Sequence, residues 1–163
     1  AVIDIAPVRY NGEDNVAWRS VELLIQTLAD LPVSTLKSKK EADAQLAASV
    51  LDPEIRQFAL MNLIVDKDRG CMKWRIGISA IADQLQVLSG VSLGGKSMRV
   101  YRGAVLFVKA GQSEFISDNH IPAIKSFFPT YQIETIENAN HWVHVSAPDR
   151  LREIISEFVR REA

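Results

Sequence analysis

The chain has 163 residues, 47% of them hydrophobic and 24% charged, which is typical of a globular domain and excludes a disordered, collagen-like or disulfide-stabilised chain. Its 19 basic and 20 acidic residues nearly cancel, so its charge indicates neither nucleic acid nor an anionic membrane as a partner. The apolar runs are shorter than the roughly 18 residues of a membrane span.

The first residues predict a buried strand. The β-branched residues Val2, Ile3 and Ile5 lie close together, and the run stops at Pro7. A nearly continuous apolar strand is typical of a parallel sheet covered on both faces, and such a strand needs neighbouring strands. Because the sequence opens directly on this strand, we expect the chain to be a fragment of a larger fold.

The next segment is predicted to be mostly helical. Apolar residues recur at helical spacing, and Asp52 followed by Pro53 supplies an N-cap and a first-turn proline. The predicted helices are 21–31, 38–51, 52–63 and 78–88.

The second half predicts alternating strands and helices. Strands are predicted at 104–109 and 131–136, and helices at 118–128 and 151–159, with a capping box at 146–149. This order with short links predicts an α/β fold whose parallel strands are flanked by helices and interrupted by the preceding helical block.

His141 is the strongest candidate for chemistry. It follows the strand predicted at 131–136, and reactive groups in open parallel sheets collect at the carboxyl ends of the strands. A neutral imidazole is the usual general base near pH 7. The alternative is a histidine whose hydrogen bonds serve only the structure.

Asp4 and Glu114 are candidate acids at two other strand ends. Asp4 interrupts the first apolar strand, and a buried carboxylate needs a partner such as a histidine ring nitrogen, although it can also cap the following turn. Glu114 follows the strand at 104–109 and is a second candidate acid or a solvated loop residue. His141, His144 and the distant Cys71 lack the spacing of a zinc site, so no zinc site is predicted.

Four segments carry a resemblance to a known family, and they occur in a fixed order. They are Val-Ile-Asp-Ile-Ala-Pro-Val at 2–8, Trp-Arg-Ile at 74–76, Gly-Gln-Ser at 111–113 and Asn-Ala-Asn-His-Trp-Val-His at 138–144. In this order the chain resembles the C-terminal half of an α/β-hydrolase. It is similar to small carboxylesterases, a branch that includes bacterial short-chain acyl esterases and mitochondrial abhydrolase-domain proteins.

The resemblance implies a division of the chain and a set of roles. It assigns 1–8 to a core strand and turn, 9–98 to a helical cap, and 99–163 to the C-terminal part of the core. His141 matches the catalytic histidine of the family, although Asn140 stands where the family usually has Gly.

The family places its catalytic acid at different positions. Bacterial members of the branch place an Asp where Asp4 stands, whereas many other α/β-hydrolases place the acid where Glu114 stands. Some mitochondrial members have an Asp just after the Trp-Arg segment, where this chain has Ser79. Asp4 is therefore the first choice for the orienting acid and Glu114 the alternative.

The family also implies a serine nucleophile in a G-x-S-x-G turn between a strand and a helix. Gly90-Val-Ser92-Leu-Gly94 matches this pattern, but the segment before it is predicted as a helix and not as a strand. The residues between it and the next strand are too few for the helix that such a turn needs. We therefore interpret Ser92 as part of a linker and expect the nucleophile upstream of Asp4, outside this chain.

The resemblance thus implies a serine hydrolase acting on carboxylic esters or thioesters through an acyl-enzyme, with this chain inactive alone. It implies no metal or organic cofactor. Its expected partners are a small acyl ester or thioester and the N-terminal half of the same fold. The single Cys71 cannot close an internal disulfide, so an oxidising compartment is not required, and we expect the cytoplasm or the mitochondrial matrix, both reducing, rather than secretion. The alternative function is a non-catalytic module of the same fold that binds a ligand or a protein.

Overall fold

The computed structural model describes residues 1–10, 15–90 and 99–162. The chain divides into two compact units, a sheet unit formed by Ala1–Trp18 with Ser89–Ala163 and a helical unit formed by Arg19–Leu88. These limits differ by about ten residues from the predicted boundaries at 8 and 98, because Arg9 and Tyr10 bond to residues 89 and 90 of the sheet unit.

The sheet unit is built on three parallel strands. These are β1 (Val2–Ile3), β4 (Val105–Ala110) and β5 (Tyr131–Ile136), in the order β1-β4-β5. In register, Val2 lies beside Phe107 and Phe107 beside Ile133. This arrangement confirms the predicted parallel α/β sheet.

The strands are apolar because the sheet is covered. Leu106, Val108 and Ala110 of β4 are fully buried. They belong to a core with Val143 and the last helix, α8 (Pro148–Glu162), whose buried residues are Leu151, Ile154 and Phe158. The connection from β4 to β5 contains a 3₁₀ turn (Asp118–His120) and α6 (Ile121–Phe127), and α7 (Val143–Ser146) lies before α8.

The helical unit has its own hydrophobic core. Its elements are α1 (Val16–Asp30, most of it), α2 (Lys39–Leu46), α3 (Pro53–Leu60), β2 (Leu63–Asp66), β3 (Cys71–Trp74), α4 (Ile78–Asp83) and α5 (Leu85–Leu88). Leu28, Leu46 and Leu63 are central to this core, and the indole N–H of Trp74 donates to the carbonyl of Leu28 at 3.2 Å. The Asp52 side chain accepts the N–H of Glu54 at 2.8 Å and caps α3, as predicted.

The ends of two helices and one cap are predicted wrongly. The helices predicted to end at residues 51 and 63 end at Leu46 and Leu60, and Leu63–Asp66 instead pairs with Cys71–Trp74 in an antiparallel hairpin. The capping box at 146–149 does not form, because Ser146 ends α7 and its hydroxyl donates to the carbonyl of Trp142 at 3.2 Å. Within the described ranges no helix is both long and apolar enough to cross a membrane.

Candidate active site

Asp4 lies immediately after β1 and is completely buried. Its φ of +45° is in the left-handed region, which Asp and Asn tolerate better than other side chains that bear a Cβ. Its N–H donates to the carbonyl of Val108 at 2.8 Å, which continues the pairing with β4. The backbone thus turns sharply at Asp4 and directs its carboxylate across the ends of the neighbouring strands.

Both oxygens of the Asp4 carboxylate have a donor. Oδ1 accepts the N–H of Ala110, the last residue of β4, at 3.0 Å, and Oδ2 lies 2.9 Å from Nδ1 of His141. These two bonds explain how a carboxylate is accommodated in a buried position. The parallel sheet brings together residues that are 137 positions apart in the sequence.

His141 lies in the loop after β5, and its side chain is partly exposed while its Nδ1 is bonded to Asp4. A carboxylate only accepts hydrogen bonds, so Nδ1 carries the proton and Nε2 of the neutral ring presents a lone pair. The His141 side chain is 42% exposed, whereas that of Asp4 is inaccessible. This geometry suits a base that takes a proton at Nε2 while Asp4 stabilises the charge that forms.

The backbone around His141 is held by local bonds. Ala139 donates to Ile136 at 3.0 Å and accepts the N–H of Gln112 at 3.0 Å, while the side chain of Asn140 accepts the N–H of Trp142 at 2.9 Å. Asp4 alone among the described non-glycine residues has a positive φ. Asn140, where the resemblance implies a glycine, therefore forms a side-chain turn and does not adopt the left-handed conformation.

Gly111 allows the loops after β4 and β5 to approach each other. A Cβ at this position would collide with the carbonyl oxygen and Cα of Glu137. The N–H of Gly111 donates to the carbonyl of Ile136 at 2.9 Å. The close approach places the residues after Gly111 next to the loop that carries His141.

The aromatic rings beside His141 are those of Phe115 and, edge on, Trp142. The buried ring of Phe115 lies against the imidazole, with ring centres 4.2 Å apart and an angle of 31° between the planes. Tyr10 contacts Phe115 edge to face, and its hydroxyl donates to the Phe115 carbonyl at 2.6 Å.

The structure separates Glu114 from this pair. Glu114 is exposed, and among the described residues no hydrogen bond joins it to His141. It borders a cavity of about 310 Å³ together with Asn15, Val16, Ser117, Asn119 and His120. Burial lowers the pKa of His120 below its usual 6.5, more than the bond to the Phe115 backbone and the charge of Glu114 raise it.

The other candidates take no part in the geometry described. His144 is exposed on α7, and in the described part of the chain no group of three His, Cys, Asp or Glu side chains could hold a metal ion. Ser92 lies outside the described residues.

Comparisons with known proteins place this arrangement in a family. The chain is 30% identical over 159 residues to the mouse protein named sn-1-specific diacylglycerol lipase ABHD11, covering 97% of this chain and 50% of that protein. It is 33% identical to a solved marine microorganism esterase, with a TM-score of 0.84 over 96% of this chain and 59% of the other. The chain belongs to the α/β-hydrolase superfamily.

More distant matches agree with this fold. The Escherichia coli esterase YbfF is 24% identical over 157 residues, covering 96% of this chain and 56% of the relative. The solved E-2-(acetamidomethylene)succinate hydrolase, at 18% identity, has a TM-score of 0.65 over 98% of this chain and 57% of its own. No protein-family model matches the chain. The chain spans about half the length of the curated relatives it matches.

Tyr10 and Phe115 were not predicted as parts of the site. Phe115 directly follows Glu114 in a strand-end loop, and Tyr10 is an isolated aromatic residue in a polar stretch, so each carries a weak local signal. The contact between them spans 105 positions, and nothing in the sequence pairs them.

Proposed function

We propose that this chain supplies the histidine and the orienting acid of a serine hydrolase that cleaves carboxylic esters or thioesters. The observation that carries the proposal is the 2.9 Å bond between Nδ1 of the accessible His141 and the buried carboxylate of Asp4. The relatives support it, because those reported above bear names of lipases, esterases or hydrolases.

In the proposed reaction a serine outside these residues attacks the acyl carbonyl. Nε2 of His141 takes the hydroxyl proton, and Asp4 stabilises the resulting imidazolium. The tetrahedral intermediate collapses as His141 returns that proton to the leaving alcohol or thiol. Water, deprotonated by His141, then attacks the acyl-enzyme, and the same proton restores the serine hydroxyl.

Two parts of such an active site lie outside this chain. The nucleophile and the backbone N–H groups of the oxyanion hole belong to the N-terminal half of the fold. Within the described residues β1 pairs with β4 alone, and Ile3 and Ile5 are about 40% exposed, which supports a further strand beside β1 as their partner.

The cap at 9–98 and the reducing compartment belong to the same proposal. The helical unit supports the cap, because it is a continuous insertion between β1 and β4 with a core of its own. The thiol of Cys71 is free and buried, which suits the cytoplasm or the mitochondrial matrix.

The test is turnover of p-nitrophenyl acyl esters by the complete gene product that contains this chain. We expect His141→Ala to lower kcat by about 10⁶-fold, because the histidine of a serine–histidine–acid triad contributes about this much and more than its orienting acid. His144→Ala is the matched control, because it removes an exposed imidazole three positions away, and its kcat should equal that of the wild type.

Two results would contradict the proposal. One is wild-type turnover by His141→Ala, and the other is turnover by the 163-residue chain alone that Ser92→Ala abolishes. The second result would place the nucleophile in the Gly90–Gly94 segment. If the complete gene product binds acyl compounds but does not hydrolyse them, the alternative of a non-catalytic binding module is favoured.

A further inference from the structure

Tyr10 is a buried residue whose hydroxyl joins two separate loops. Its exposure is 2%, its oxygen accepts the N–H of Ala6 at 2.6 Å, and its O–H donates to the carbonyl of Phe115 at 2.6 Å. Burial, partly offset by the bond to the Ala6 backbone, raises the pKa of Tyr10 to about 12. The hydroxyl therefore keeps its proton under all conditions in which an esterase works, and it acts as a fixed link and not as an acid or base.

The two loops that Tyr10 joins carry the surroundings of His141. Ala6 lies two residues after Asp4, in the turn that leaves β1, and Phe115 covers one face of the His141 ring at 4.2 Å. The Tyr10 ring also lies 5.4 Å from that of Phe115 at an angle of 69°. One side chain thus ties the segment that carries the acid to the ring that lies on the base.

His141 needs such a support because one hydrogen bond does not fix a ring. The hydrogen bond to Asp4 fixes the position of Nδ1 alone, and rotation of an imidazole about its χ2 torsion costs little energy. A ring stacked at 31° to the imidazole plane restricts that rotation and so sets where Nε2 points. A general base is effective only when the proton it takes lies along this direction.

We propose that Tyr10 is a positioning residue for His141, because its hydroxyl fixes Phe115 against the imidazole and so directs Nε2 toward the reacting hydroxyl. The inference rests on the function proposed above for His141. It goes beyond that function by assigning roles to Tyr10 and Phe115, neither of which has a hydrogen bond to Asp4 or His141 in the described structure.

The test uses Tyr10→Phe in the complete gene product, with p-nitrophenyl esters as substrate. We expect kcat to fall about 10-fold, at the low end of what small misplacements cost, with KM unchanged. A purely structural role would lower Tm and the yield of folded enzyme but would leave kcat per folded molecule unchanged. Tyr101→Phe controls for the loss of a hydroxyl, because Tyr101 is 55% exposed.

Stability is controlled separately. Ile154→Val removes one methyl group from the core beside α8 and lowers Tm without altering any contact of Tyr10. We expect this variant to keep the kcat of the wild type. A lower kcat in Ile154→Val, matching that of Tyr10→Phe, would assign the effect to general destabilisation and overturn the proposal.

A double-mutant cycle with Phe115→Leu shows whether Tyr10 acts through Phe115. Phe115→Leu removes the stacked ring and keeps the carbonyl that accepts the Tyr10 hydroxyl, so its kcat should also fall. If Tyr10 acts through this ring, the double variant should have the kcat of Phe115→Leu alone. Losses that multiply would overturn the proposed route.

The outcomes separate this inference from the proposed function. If His141→Ala abolishes turnover while Tyr10→Phe and Phe115→Leu keep the wild-type kcat, the hydrolase stands and the positioning role is wrong. If His141→Ala keeps full activity, the proposed function itself is wrong. Should Tyr10→Phe fail to fold, Phe115→Leu decides, since wild-type kcat in that variant overturns the positioning role.

Discussion

Asp4→Asn distinguishes the catalytic role of the Asp4 carboxylate from the contribution of Asp4 to the stability of the fold. Asn has the same shape as Asp and also tolerates the left-handed backbone, which this position adopts at φ +45°. Its carbonyl oxygen can still accept the N–H of Ala110, now bonded to Oδ1 at 3.0 Å. We therefore expect the free energy of unfolding to change by less than about 1 kcal/mol.

Catalysis should respond very differently. The Asn NH₂ group would face Nδ1 of His141, where the carboxylate now accepts at 2.9 Å, so the ring must present a lone pair there and carry its proton on Nε2. A ring with that tautomer cannot take a proton from the nucleophile. In a triad this change lowers kcat by about 10⁴-fold, which corresponds to about 5.5 kcal/mol of transition-state stabilisation.

Asp4→Ala provides the contrast. It leaves the buried N–H of Ala110 without a partner, at about 1–3 kcal/mol, and puts an ordinary side chain at a left-handed φ, at about 1–2 kcal/mol. The sum is about 2–5 kcal/mol, and we expect the lower half of this range because the desolvation of the carboxylate is also relieved.

Urea unfolding and turnover of p-nitrophenyl esters by the complete gene product measure the two effects. A kcat for Asp4→Asn within tenfold of the wild type would refute the role of the carboxylate. Equal destabilisation by Asp4→Asn and Asp4→Ala would refute the expectation that Asn keeps the bond to Ala110 and tolerates the left-handed backbone.

Two further outcomes can be checked with the same variants and assays. Glu114→Gln should leave kcat unchanged, because the exposed Glu114 borders the cavity near His120 and lies outside the Asp4–His141 pair; a loss as large as that of Asp4→Asn would move the acid to Glu114. The free energy of unfolding should fall as the pH rises from about 10 to about 12. The unfolded chain loses the Tyr10 proton near pH 10, whereas burial raises the pKa of Tyr10 in the folded state to about 12. This pKa difference corresponds to a loss of about 2–3 kcal/mol of stability. Urea unfolding at a series of pH values should show this fall as a shrinking stability advantage over Tyr10→Phe, and an advantage that does not change with pH would contradict it.

The sheet could be predicted from the sequence because its signals are local. The strands near 104–109 and 131–136 are apolar runs of the right length, and β4 and β5 occupy nearly the same residues. The hairpin was missed because β2 and β3 have four residues each, too few for an alternating pattern to stand out from a helical one. Serine is a common helix N-cap, but the hydroxyl of Ser146 donates to the carbonyl of Trp142 instead of capping α8.

The site could be predicted only in part, for a similar reason. Asp4 and His141 follow apolar strands, and parallel strands bring their carboxyl ends to one edge, so their proximity follows from topology. Tyr10 and Phe115 meet through a turn and a loop whose paths depend on tertiary contacts. Position at a strand end marks the residues that can react, whereas the residues that hold them are found only in three dimensions.

His141 and Asp4 are proposed to serve a serine that another segment of the complete fold supplies. The most direct test is the distance from Nε2 of His141 to the nearest serine Oγ in a crystal structure of the complete gene product. We expect about 2.6–3.2 Å, or slightly more without substrate, to a serine in a strand-to-helix turn outside these residues. A structure with no serine hydroxyl within reach of Nε2, or with Ser92 as the serine found there, would contradict the proposed roles of His141 and Asp4.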